Sequence, residues 1–132
     1  MLLDTGPLVA LFAPDDRNNA RARSRAAALG TTRLVTCEAV VTEASYLLYR
    51  PDRRAQMLLW LDAADIEVRA LAPGERASVR ALTLRYADLP TDYADAVLVQ
   101  LATAARITRI WTYDRRDFSV YRVRGRPLRI VD

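Results

Sequence analysis

The chain has 132 residues, 52% of them hydrophobic and 27% charged, a balance that suits one globular domain over 1–132 with a real core and excludes a disordered chain. Net charge is +4, all 20 basic residues are arginine, and histidine is absent. With Cys37 the single cysteine, this argues against a zinc site, a Ser-His-Asp or Cys-His nucleophile system, and an internal disulfide. Charges interrupt every apolar stretch well short of a bilayer span, and Asp4 and Pro7 break up the only signal-like segment, so a cytoplasmic protein with no membrane contact is expected.

In chain order, Met1 to Asp4 reads as a short strand, and a helix follows from about Pro7 to Phe12. An Arg/Ala-rich helix runs from about Asn18 to Leu29 and ends at Gly30. "RLVTC" (33–37) reads as a strand, and "EAVVTEASYLLY" (38–49) as a helix that stops before Pro51. Arg53 to Ala64 is a further helix, "IEVRAL" (66–71) a strand, and Gly74 to Tyr86 a helix. "TDYADAVLVQLATAA" (91–105) shows the clearest helical period, with Val97, Leu98, Leu101 and Ala105 on one face. "RIWTY" (109–113) and "LRIV" (128–131) are the last strands, with either Trp111 or Tyr113 expected in the core. Short strands alternating with helices imply an α/β sandwich around a mainly parallel sheet. Ligand sites in such sheets form at the carboxyl ends of the strands, and Asp4 and Asp114 each follow a strand.

Four acids occupy positions where an apolar or neutral residue would be ordinary. Asp4 ends the first strand, Glu43 borders the apolar face of its helix, Asp95 precedes an apolar stripe, and Asp114 follows "RIWTY" directly. Taken singly, each has a plainer structural account: Asp4 as a helix N-cap, Asp92 and Asp95 as first-turn acids, Glu43 as a solvated edge residue and Asp114 as a turn residue. Independent caps have no reason to share one sheet edge. Carboxylates gathered in one cleft repel one another unless a cation balances them, and oxygen-only ligands select a hard ion, Mg²⁺ with Mn²⁺ as the alternative.

"LLDTG", Glu43 in its helix, "DYADAVLVQLA" and "TYDRRDF", in that order, resemble a PIN-domain ribonuclease, specifically a VapC-type toxin of a type II toxin–antitoxin system. The resemblance covers essentially the whole chain. It implies a PIN-like sandwich with a five-stranded, mainly parallel sheet, and Mg²⁺-dependent endoribonuclease activity. It also implies Asp4, Glu43, Asp95 and Asp114 as the catalytic and metal-holding acids, an RNA substrate, a small VapB-like antitoxin and a homodimer. Asp117, Asp92, Thr5 and Thr112 stand beside these acids as auxiliary candidates, and local backbone bonding is an equal account of the two threonines. Arg17, Arg21, Arg115 and Arg116 are candidates for tracking an RNA backbone; for the group on the second helix, which adds Arg23 and Arg25, a solvated face is the plainer account.

Three other functions compete for the same acids, and one of them lacks a needed residue. Phosphoryl transfer on an aspartate, as in haloacid-dehalogenase-like phosphatases or response-regulator receivers, uses a lysine, and this chain has none. A PIN nuclease of RNA processing or decay would share every residue above, and so would a catalytically silent PIN module that only binds RNA or protein.

Overall fold

The computed structural model describes residues 1–89 and 92–132. In chain order the elements are β1 (Leu2–Leu3), α1 (Thr5–Phe12), α2 (Asn19–Ala28), β2 (Val35–Cys37), α3 (Glu38–Leu47), α4 (Pro51–Ala63), β3 (Glu67–Arg69), α5 (Glu75–Arg85), α6 (Tyr93–Ala105), β4 (Arg109–Trp111), α7 (Arg115–Val120) and β5 (Arg129–Val131). The five strands form one parallel sheet in the order β3-β2-β1-β4-β5, flanked by helices, which is the α/β sandwich expected from the alternation of elements.

Register ties β1 to β4 through Leu2↔Ile110 and Leu3↔Trp111. These central strands are shielded on both faces, and Leu2, Leu3, Ile110 and Trp111 are fully buried. The edge strands β3 and β5 carry Arg or Glu and remain half-exposed. Helix α6 is buried on most of its circumference, with Ala94 to Val99, Leu101 and Ala102 all in the core. Asp95 is therefore an acid inside a core helix. Beside Asp95 pack Phe118 and Tyr121, whose rings meet edge to face at 5.2 Å, and Tyr86 meets Tyr121 in the same way at 5.1 Å.

Several element bounds differ from the sequence expectation, each for a local reason. The first helix starts at Thr5 rather than Pro7, because Asp4 caps it. Helix α4 begins two residues early, at Pro51, where the missing N–H of a first-turn proline costs nothing. Strand β4 ends at Trp111, and the next six-residue helix, α7, was not expected at all. Thr91, expected to open the sixth helix, lies outside the described residues. Trp111 is the core residue of the Trp111/Tyr113 pair. Tyr113 lies past the strand, half-buried, with the Arg21 guanidinium 5.4 Å from its ring centroid.

Candidate active site

The strand order turns outward in both directions from the β1–β4 pair, so the connections leaving these two strands diverge and leave a crevice at their carboxyl ends. Asp4 leaves β1 there, and the segment from Thr112 to Asp114 leaves β4 beside it. The two are joined by a backbone bond from Asp4 N–H to the Trp111 carbonyl, 3.1 Å. A cavity of about 260 Å³ occupies the crevice, and six carboxylates line it: Asp4, Glu43, Asp92, Asp95, Asp114 and Asp117. All four acids singled out in the sequence lie here, with both auxiliary aspartates.

Three of these acids cap helices that start at the cavity. Asp4 Oδ1 accepts from Thr5 N–H at 2.7 Å, Asp92 Oδ1 from Asp95 N–H at 2.9 Å, and Asp114 Oδ1 from Asp117 N–H at 2.9 Å. The capping account of Asp4 is thus compatible with a place in the cavity, and Asp114, expected as a turn residue, is a cap as well. For α6 the cap is Asp92, and Asp95 stands in the first turn. The positive ends of α1, α6 and α7 meet at the acids and offset part of their charge.

Hydroxyls hold the other carboxylate oxygens. Thr112 donates to Asp4 Oδ2 at 2.6 Å, and its oxygen accepts the Asp114 N–H at 2.9 Å, so one side chain couples the ends of β1 and β4. Thr5 donates to Glu43 Oε2 at 2.6 Å and links α1 to α3. The Tyr121 hydroxyl donates to Asp95 Oδ2 at 3.0 Å. Nothing in the local sequence marks Tyr121, which is 26 residues from its acceptor. The cavity wall also includes Leu47 of α3, which the sequence pattern alone would place in the core.

Asp4, Asp95 and Asp117 are buried, whereas Asp92 and Asp114 stand at the solvent mouth. Burial pushes the Asp4 carboxyl up to about 6, against the opposing pull of its Thr112 and Thr5 donors. Burial and then the charges of Asp92 and Asp4 raise Asp95 to about 8, with the Tyr121 hydroxyl opposing. Asp117 Oδ1 is buried without a hydrogen bond, and its nearest counter-charge is Arg116 Nε at 3.7 Å. Uncompensated buried acids of this kind call for positive charge.

A divalent cation fits the donor set. Every candidate ligand is a hard oxygen, and Asp117 Oδ1 lacks a hydrogen-bond partner. Among the described residues no three acids form a ready-made metal cage.

The candidate RNA-tracking arginines divide in two. Arg21 pairs with the Asp132 side chain at 2.6 Å, and Arg115 pairs with it through Nε at 3.0 Å. Arg116 faces Asp117, and Arg17 is exposed ahead of α2. Arg25 donates to the Asp132 carbonyl at 3.1 Å.

The PIN-domain family model matches residues 1–124. Comparison with curated proteins finds no match. Among solved structures, the crystal structure of VapC20 from Mycobacterium tuberculosis, described as a sarcin–ricin loop cleaving toxin, is similar with a TM-score of 0.77. The similarity extends over 87% of this chain and 90% of that one at 17% identity, and so is a likeness of fold. With the family model spanning nearly its whole length, this chain belongs to the PIN-domain family.

Proposed function

We propose that the protein is a Mg²⁺-dependent endoribonuclease toxin, held inactive by a cognate VapB-like antitoxin. The observation that carries this reading is the gathering of six carboxylates in one crevice at the β1–β4 switch point of a PIN fold. The fold likeness to an RNA-cleaving toxin supports RNA as the substrate.

In this reading Asp4, Glu43, Asp95 and Asp114 hold the ion, directly or through water, with Asp117 and Asp92 as helpers. When bound, Mg²⁺ (or Mn²⁺) lowers the pKa of water and offsets charge developing on the phosphate. Thr112 and Thr5 orient Asp4 and Glu43 through bonds of 2.6 Å each, so these carboxylates need little reorganisation. Tyr121 holds Asp95 at the cavity floor. Since the chain has no histidine to move the 2′-hydroxyl proton, attack by water on the phosphodiester is the route that fits, with 5′-phosphate and 3′-hydroxyl ends as products. Exposed Tyr46, Leu47, Tyr49, Leu58 and Leu59 on and beside α3 and α4 support a homodimer. No described helix is long and apolar enough to cross a membrane, in keeping with action in the cytoplasm.

The test is incubation of purified protein with RNA in Mg²⁺ and in excess EDTA, with the ends mapped, beside induced expression with and without any small gene that neighbours its own. Cleavage only with the ion, and growth arrest relieved by the neighbouring gene, are the expected results. Full cleavage in EDTA overturns the metal reading. Cleavage without growth arrest makes the protein a processing or decay nuclease, and binding without cleavage makes it a silent module.

A further inference from the structure

The opposite edge of the sheet carries the reverse charge. At the amino ends of β4 and β5 a cavity of about 350 Å³ opens between the end of α6 and the turn at 123–126. Arg106, Arg124 and Arg126 line it with Thr108, and no carboxylate does. All three arginines are exposed, and none makes an ion pair among the described residues, unlike Arg21, Arg115 and Arg116.

Two of the three occupy left-handed backbone, with φ 55° at Arg106 and φ 52° at Arg124. Arg106 stands at the end of α6, where glycine or asparagine is the usual residue. Arg124 and Gly125 (φ 82°) form a two-residue turn closed by Val123 N–H to the Arg126 carbonyl at 2.8 Å, a turn that favours Asn-Gly or Asp-Gly. In both places a guanidinium stands where the backbone prefers a small residue, and both line one cavity. Strain of this kind points to a use for the side chain.

We propose that this cavity is a phosphate-binding subsite for the backbone of the RNA substrate, at the pole remote from the acids. The proposal rests on RNA being the substrate. Without metal the acidic crevice repels phosphate, so RNA gains from a hold elsewhere on the molecule, and the arginines nearest the crevice already pair with Asp132 and Asp117. The planar guanidinium fork matches phosphate oxygens, and the Thr108 hydroxyl adds a donor. Strand β4 has only three residues, about 10 Å of chain, from Arg109 at the basic end to Trp111 at the acidic end. An RNA long enough to run over the flanking helices reaches both poles. Arg126 lies beyond residue 124, where the family match ends.

The experiment compares wild type with the triple variant Arg106→Asn, Arg124→Asn, Arg126→Gln. Asparagine tolerates left-handed backbone, so the melting temperature should be unchanged or higher. Binding of a labelled single-stranded RNA is followed by fluorescence anisotropy in EDTA over a range of salt. The variant should bind about 10- to 100-fold more weakly at low salt. Its log–log salt slope should be shallower by about 2, three contacts at roughly 0.7 each. In Mg²⁺, KM for a long RNA should rise while kcat holds, and a fragment too short to reach both poles should be cut as by wild type. Unchanged affinity and slope in the folded variant overturn the subsite, as they would if the cavity takes an acidic protein segment instead. No measurable RNA affinity in wild type overturns it too. Because binding is read without metal, the two readings fail separately. A wild type that cuts nothing but binds through these arginines sinks the nuclease alone, and active cleavage with an unaffected variant sinks the subsite alone.

Discussion

Replacing Asp95 with asparagine should stabilise the metal-free protein, and by more at higher pH. Asp95 is buried in the first turn of α6, and burial with the charges of Asp92 and Asp4 raises its carboxyl from 3.8 to about 8. The folded chain thus holds this proton more tightly than the unfolded chain does. Its contribution to stability is complete below pH 3.8, is lost progressively as pH rises to about 8, and stays lost above that. At 1.36 kcal/mol per pKa unit the full loss is at most about 6 kcal/mol. Water entering the open mouth of the cavity, and movement of the exposed Asp92 and Asp114, reduce the expected value to about 1 to 3 kcal/mol. Asparagine carries no charge, and its carbonyl can accept the same bond from Tyr121. Urea and thermal unfolding in EDTA, stepped from about pH 5 to about pH 8.5, measures the difference; the gain should grow through the window to roughly 3 to 12 °C in Tm. Added Mg²⁺ should then stabilise wild type more than the variant, because weaker binding contributes less. A variant less stable than wild type at pH 8 without metal, or a gain that does not change with pH, refutes the reasoning.

Asp4→Asn and Glu43→Gln should each lower RNA cleavage by more than about 100-fold with the fold retained, since even groups that only orient metal ligands cost 10- to 100-fold; activity assays with circular dichroism check this. Because Asp4 loses its proton near pH 6 and Asp95 near pH 8, Mg²⁺ affinity should climb across that interval, and a flat calorimetric profile would contradict the shared site. Thr112→Val removes the donor to Asp4 and the acceptor for Asp114 N–H, and should cost about 1 to 3 kcal/mol in urea unfolding, with Thr112→Ser close to wild type. Asp92→Asn should keep the cap and, by removing a charge that raises Asp95, add stability near pH 8, though less than Asp95→Asn does; Asp92→Ala should be about 1 kcal/mol less stable than Asp92→Asn in the same measurement.

Much of this architecture is written in local pattern. Alternating short apolar runs and 3.6-residue periods specify strands and helices, and parallel strands then need helical crossovers, so the sheet follows. The anomaly of Asp4 after "MLL" is equally local: an acid at a strand end is costly wherever that strand is buried. Only tertiary structure decided what the acid faces. The pairing of β1 with β4 brings Asp4 beside residues 112–114, more than a hundred positions away, and puts Thr112 within 2.6 Å of its carboxylate. Helix α7 escaped the sequence reading because six residues carry too little period; its cap on Asp114 and the burial of Phe118 make it a helix. Tyr121 and Asp132 became partners of Asp95 and of Arg21 and Arg115 through packing that no spacing rule encodes. Side-chain chemistry and periodicity are properties of neighbours in sequence. Convergence depends on strand order and register, set by the burial of the whole core at once.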